Sequence, residues 1–223
     1  MPRLADIGPA TCFAGGWRQP CYRGVMVEHG PQRTIEGKSF LEGKLLIALP
    51  GMPDPRFERS VIFMCAHSLD SGAMGLCINK PIDGLNFREL VGKLEIRVGP
   101  RTPDFPILYG GPMDTGRGFV LHSNDYESEE STLPVSEDVS LTATLDILRA
   151  IAEGRGPEQA IFALGYAGWG AGQIEDEIRA NDWIHCDADL GLLFAEAPEG
   201  KWAAALGKLG IDLSGLTANA GRA

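Results

Sequence analysis

No run of basic residues occurs anywhere in this 223-residue chain. Its densest basic pairs, Arg56 with Arg59 and Arg97 with Arg101, have acids close by. Lys and Arg number 20 against 30 Asp and Glu, a formal net charge of −10. Affinity for nucleic acid comes largely from basic side chains that displace counterions from phosphate, so no direct nucleic-acid contact is expected. Long apolar runs are missing too. Stretches such as Leu45–Leu49 and Leu190–Ala195 fall far short of the ~20 residues that span a bilayer, and no membrane partner is expected. The first 25 residues scatter Arg3, Asp6, Arg18 and Arg23 among Gly and Pro and lack the apolar core of a secretory signal. Cysteine is present but unpaired in pattern. Cys12, Cys21, Cys65, Cys77 and Cys186 make an odd number without a Cys-x-x-Cys, which suits free thiols in a reducing compartment. The cytoplasm is therefore the expected location.

What is present is an ordinary globular composition, 44% hydrophobic and 22% charged. A chain of this size buries roughly 70% of the surface its unfolded form exposes. Residues 1–37 mix Gly15, Gly16, Pro20, Gly24, Gly30 and Pro31 without sustained period and read as a poorly ordered extension, with Met26 a candidate native start. Residues 38–215 read as one domain and 216–223 as a loose tail.

Lys44–Leu49, closed by Pro50-Gly51, reads as a buried strand and a turn. Ser60–His67 and Ala73–Asn79 read as a β-hairpin turning near Asp70 and Ser71. That turn sets Cys65 opposite Cys77. It groups Ile62, Met64 and Ala66 with Met74, Leu76 and Ile78 on one face, and Val61, Phe63 and Cys65 with Cys77 on the other. Both faces are apolar, as in a strand pair central to a sheet. The spacing of Phe87, Leu90, Val91 and Leu94 predicts a short helix over 86–94. Short strands follow at 107–109 and 118–122. Ser140 is positioned to cap a helix over 141–153, with Leu141, Leu145, Leu148 and Ala152 on one face and Gly154 ending it. A strand over 159–165, a helix over 173–180, a strand over 183–186, and helical segments over 190–195 and 201–209 complete the pattern. Hairpin and alternating arrangements together favour an α+β domain with a mixed sheet.

The segment Gly165-Tyr-Ala-Gly-Trp-Gly-Ala-Gly172 is the most unusual. As a phosphate cradle it would offer backbone N–H groups at a helix start. Its glycine spacing matches neither a dinucleotide fingerprint nor a P-loop, and Glu175, Asp176 and Glu177 would repel a phosphate there. The reading adopted is a tight turn with Tyr166 and Trp169 as packing anchors. Ser60 and Ser123 lack the G-x-S-x-G context of a hydrolase, although His122 stands beside Ser123. Cys65, His67, Cys77, His185 and Cys186 are metal-ligand types, but buried thiols act mainly as small apolar groups, and no metal or cofactor is expected.

Taken in order, several segments resemble the YqgE/AlgH family of bacterial proteins. They are Leu46-Ile47-Ala48-Leu49-Pro50, Asp54-Pro55-Arg56-Phe57-Glu58-Arg59-Ser60-Val61, Gly72-Ala73-Met74-Gly75 and Asn79-Lys80-Pro81. Gly110-Gly111-Pro112, Gly118-Phe119-Val120-Leu121-His122, Gly165–Gly170 with Gln173, Ile174 and Glu175, and Trp183 continue the match. It covers about residues 43–210. The resemblance implies an α+β fold with a barrel-like mixed sheet and flanking helices, and brings no catalytic mechanism. AlgH-like proteins carry a label of transcriptional regulator, yet nothing here resembles a basic recognition helix. Two functional readings follow. One is a regulatory or interaction module, without catalysis, that acts through an unknown protein or small-molecule partner. The other is a small-molecule site, enzymatic or not, near Gly110–Pro112, His122 and Gly165–Gly172, for which Arg59, Asn79, Gly110, Gly111, His122, Tyr166, Trp169 and Glu175 are the candidate ligand-binding residues. Convergence of Arg59, Asn79, His122 and Glu175 in one pocket favours the second; their dispersal into separate hydrogen-bonded pairs favours the first.

Overall fold

Apolar strands that lack a polar face can be satisfied only inside a sheet covered on both sides, and that is where β1 (Lys44–Ala48), β2 (Val61–Ser68) and β3 (Gly72–Cys77) lie in a computed structural model of the protein. The structure describes residues 40–128 and 131–211; the extension expected over 1–37 and the tail over 216–223 fall outside them. The other elements are β4 (Pro81–Asn86), α1 (Phe87–Lys93), β5 (Pro106–Tyr109), β6 (Met113–Ser123), β7 (Thr132–Pro134), β8 (Val139–Thr142), α2 (Leu145–Ala152), β9 (Ala160–Trp169), α3 (Gln173–Arg179), β10 (Trp183–Asp187), a single π-helical turn (Gly191–Ala195) and α4 (Pro198–Lys208).

The strands run in the order β10-β1-β2-β3-β9-β6-β8-β7, with β5 pairing β9 and β4 pairing β5. All pairs are antiparallel except β5 with β9, which makes the sheet mixed. The largest apolar cluster takes side chains from both terminal strands, Ile184 and Cys186 of β10 and Leu133 of β7. One cluster can touch both ends only if the sheet curls around it, so the domain is α+β with a half-barrel sheet. The π-helical turn and α4 supply Leu192, Leu193, Ala205 and Leu206 to the same cluster. A second cluster lies under α3 with Trp169, Ile174 and Trp183. A third lies under α1 and α2 with Phe87, Val91, Ile147 and Ile151.

The β2–β3 hairpin forms as expected, but its register does not. Ile62 pairs Cys77, Phe63 pairs Leu76 and Met64 pairs Gly75; then Ala66 pairs Met74, leaving Cys65 as an extra residue in β2. Side chains alternate with period two, so one unpaired residue reverses which faces correspond. Val61, Phe63 and Cys65 therefore share a core with Leu76 and Ile78, while Ile62 and Met64 share the other with Ala73 and Cys77. Cys65 and Cys77 point into different layers and are not opposite each other.

Two further expectations are corrected. Val139–Thr142 is strand β8, held between β6 and β7, and the helix begins only at Leu145 after Thr144. Ser140 caps nothing; its hydroxyl donates to Asn124 Oδ1 at 2.5 Å. The glycine-rich segment is not a tight turn as far as Trp169 but the second half of β9. Gly165 holds φ +72°, and a Cβ there would lie 2.5 Å from the carbonyl oxygen of Gly111. Gly111 holds φ +153°, and its Cβ would lie 2.2 Å from the carbonyl carbon of Tyr166. Gly110, Gly111 and Gly165 are thus required by one close approach of two backbones.

Candidate functional site

Asn79 follows β3 and reaches back to the turn before β2. Its Oδ1 accepts from the Val61 N–H at 2.8 Å, and its Nδ2 donates to the Arg59 carbonyl at 2.8 Å. Arg59 has φ +53°, a left-handed conformation that a non-glycine residue keeps only when its surroundings hold it. The Asn79 carboxamide supplies that hold. The thiol of Cys77 also donates to Asn79 Oδ1, at 3.4 Å, and burial raises its pKa. The Arg59 guanidinium lies over the Trp202 ring, 5.5 Å from its centre. Trp202 in turn donates its indole N–H to the Ala48 carbonyl at 2.8 Å. Arg59 and Asn79 are therefore neighbours, and together they fix α4 and the β1–β2 connection.

His122 is fully buried on β6. Its Nδ1 meets the Ser123 carbonyl at 2.8 Å, which can only accept, so Nδ1 carries the proton. Nε2 then accepts from the Thr142 hydroxyl at 2.9 Å, and Thr142 accepts from Thr132, also at 2.9 Å. The Ser128 N–H donates to Thr132 at 3.1 Å and completes a one-way chain across the β6–β8–β7 edge. Burial holds the His122 pKa below its ordinary value. A neutral imidazole with both nitrogens engaged is fixed in place by the fold, and the Ser123 hydroxyl bonds to Asp125 rather than to the ring.

Glu175, in the first turn of α3, is buried and meets His67 Nε2 at 2.5 Å. The edge of the exposed Phe40 ring packs on His67. Two residues further along α3, Glu177 accepts from two indoles. The N–H groups of Trp169 and Trp183 both reach its Oε2 at 2.9 Å, and Gln173 Nε2 reaches its Oε1 at 2.8 Å. Phe57 stacks against Trp169 and meets Trp183 edge-on. Tyr166 packs edge-on against Phe119.

The glycine segments do meet: Gly110 N–H donates to Leu164 O at 2.8 Å, and Cys77 N–H donates to Gly110 O at 2.9 Å. The residues proposed from sequence thus fall into separate groups. Arg59 and Asn79 stand at the β1–β2 turn. Gly110, Gly111 and Tyr166 form the crossing of β9 with the segment between β5 and β6. Trp169 precedes α3 and Glu175 lies in its first turn. His122 lies at the far end of β6, where it pairs Ala160, away from the crossing at Met113 and Tyr166.

A cavity of about 490 Å3 lies elsewhere, between the turn joining β7 to β8 and the segment after β10. It is lined by Gly43, Ser136, Glu137, Asp138, Val139, Ala188, Asp189, Leu190 and Leu193. These residues were not singled out from sequence. Their only signal is the recurrence of adjacent small and acidic residues in Ser136-Glu137-Asp138 and Asp187-Ala188-Asp189, which by itself reads as two solvated loops. Among the described residues no group of three His, Cys, Asp or Glu is arranged to hold a metal ion, and no helix is long and apolar enough to cross a membrane.

Residues 45–214 match the model of the AlgH-like family. The protein belongs to that family. A UPF0301 protein of Rhodopseudomonas palustris is 51% identical over 203 residues, spanning 88% of this chain and 93% of the relative. A UPF0301 protein of Caulobacter vibrioides is 53% identical over 185 residues, 82% and 94% of the two chains. The solution structure of AlgH from Pseudomonas aeruginosa superimposes with a TM-score of 0.67 at 42% identity and covers 89% of this chain and all of that one. A crystal structure from Corynebacterium diphtheriae, at 19% identity and a TM-score of 0.60, covers 78% of this chain and 90% of its own and shares the fold. The AlgH-like fold of this chain carries the half-barrel and flanking helices expected from the resemblance.

Proposed function

We propose that this AlgH-like protein is a non-catalytic interaction module that regulates by contact with a protein partner in the cytoplasm. The observation that carries this reading is dispersal. Arg59 with Asn79, His122 and Glu175 stand in three separate places, and each is engaged in bonds that hold the fold. Catalysis by proton transfer or nucleophilic attack needs such groups to converge on one reacting atom. The net charge of −10 favours a protein partner over direct DNA contact. A small-molecule site at the two glycine segments has less support, because backbone atoms already fill the crossing.

The test is incubation of the purified protein with a metabolite extract of its source cells, followed by mass spectrometry, alongside cross-linking in those cells. The reading expects an unchanged metabolite profile and protein cross-links on the surface. Time-dependent loss of any small molecule, abolished in His122→Ala or Glu175→Ala, would refute it.

A further inference from the structure

A sheet that curls without closing leaves two rims facing each other, and the cavity of about 490 Å3 lies between them. Its size falls within the roughly 300–1,000 Å3 of ligand clefts. Core residues Val139 and Leu193 back the cavity, and its accessible apolar surface is Leu190, 38% exposed despite its size, beside the half-buried Ala188. Three carboxylates ring the cavity: Glu137, Asp138 and Asp189.

Both rims are built before any partner arrives. On one side Asn124 Nδ2 donates to the Glu137 carbonyl at 2.6 Å and to the Ser136 carbonyl at 3.3 Å, while Asn124 Oδ1 accepts from Ser140. On the other, Asp189 Oδ1 accepts from the Leu192 N–H at 2.7 Å, and its Oδ2 bonds to Lys208. The three carboxylates are thus not equivalent. Asp189 is neutralised by Lys208, and the neighbouring Asp187 by Lys44. Among the described residues, neither Glu137 nor Asp138 has an ion-pair partner. The cleft therefore presents uncompensated negative charge, carried on a backbone that Asn124 holds, beside the exposed Leu190. Its complement is a cation on an apolar stem, such as a lysine or arginine side chain whose methylenes lie on the exposed Leu190.

We infer that this cleft is the docking site for a lysine- or arginine-bearing segment of the partner protein. The inference rests on the interaction-module reading and locates it at the seam of the half-barrel. Pre-set rims lower the ordering cost of binding, and the acidic rim steers a basic segment toward it.

The probe is an acetylated eight-residue peptide alternating lysine and leucine, titrated into the full chain at low salt, with its glutamate–leucine counterpart and spermine as controls. Backbone amide shifts are expected at Gly43, Ser136–Val139 and Ala188–Leu190, with weakening as added salt shortens the screening length. The double reversal Glu137→Lys/Asp138→Lys is expected to weaken binding roughly tenfold or more, as is Leu190→Ser. Reversal of Asp146 in α2 and of Glu153 at its C-terminal cap serves as the control for overall charge and leaves binding unchanged. Glu137 and Asp138 are exposed, and a thermal melt of each variant checks that folding is intact. Equal weakening by both pairs of reversals, shifts clustered away from the seam, or no binding at low salt would each overturn the docking site. Spermine competing as well as the peptide would overturn the segment as occupant and leave a small-cation site. None of these outcomes touches the interaction-module reading, which falls only if the metabolite incubation reveals turnover.

Discussion

Replacing Glu177 with Gln tests how the chain holds α3 and β10 against the sheet. The carboxylate accepts three hydrogen bonds, two from indoles that are 3% and 2% exposed at Trp169 and Trp183. A carboxamide has one acceptor and one donor end. If its oxygen serves the indoles, its NH2 faces the NH2 of Gln173. Gln173 cannot turn over without presenting that group to Gly170 N–H, which its own Oε1 now accepts at 3.0 Å. The opposite orientation leaves two buried indole donors facing a third donor. Bonds to a charged acceptor are worth about 1.5–3 kcal/mol against about 0.5–1.5 for neutral ones. Two weakened bonds and one lost bond then sum to roughly 2–4 kcal/mol. Glu177 is itself partly solvated, which favours the lower end. For a domain of this size that lowers Tm by on the order of 5–15 °C. Urea unfolding followed by tryptophan emission is the assay, because both indoles report directly. Glu177→Gln within about 0.5 kcal/mol of the wild type, in the range of an ordinary surface change, would refute the clamp.

Other perturbations probe other parts of the fold. Gly165→Ala should destabilise by roughly 2–5 kcal/mol, from a left-handed backbone and a Cβ driven onto a carbonyl, and thermal unfolding that matches the wild type would deny the close crossing with Gly111. His122 lowers stability in acid. Its folded pKa lies below the ~6.5 of the unfolded chain, so the unfolded state binds more protons between those two values. Stability is therefore full above ~6.5 and falls as pH drops toward the folded pKa. His122→Gln should flatten that slope, measured as urea midpoints across pH 4–7. Burial pushes the Cys65 thiol up to about 12 and raises Cys77 as well. Peptide mapping after brief iodoacetamide treatment should find both unmodified in native protein and modified in urea, and native labelling of either would contradict their burial.

Much of the architecture could be read from local pattern, and its failures have specific causes. Asn86 followed by Phe87, Leu90 and Val91 predicted α1, and Asn86 Oδ1 does accept from Glu89 N–H at 2.9 Å. Ser140 and Leu141 misled because Leu141 continues the period of Leu145 and Leu148. What overrides it is non-local: Thr142 is needed between His122 and Thr132, and Leu141 pairs Leu121 and Leu133. The hairpin was visible and its register was not, since a bulge at Cys65 adds a residue without changing composition. The glycines of β9 read as a turn because their partner at the crossing is far away in sequence. Arg59, Asn79, His122 and Glu175 drew notice as chemical residue types. Their roles lie in bonds to backbone and to neighbours that no linear spacing reveals. The cleft went unseen because its rims come from segments some fifty residues apart, joined only by the curl of the sheet.

Strand β9 sets an order on the way this chain is made. Among the described strands it is the one that pairs both β3 and β6, and it also carries β5. Trp169 is synthesised some ninety residues after Cys77, roughly 5–20 s later at ~5–20 residues per second. Throughout that interval the β1–β2–β3 ribbon waits on the nascent chain with an open edge, joined after Thr142 by the β6–β8–β7 ribbon with its own. The two ribbons join in one sheet only when β9 leaves the ribosome and pairs with both, so open strand edges, which can template association with other chains, persist until the last third of the chain exists.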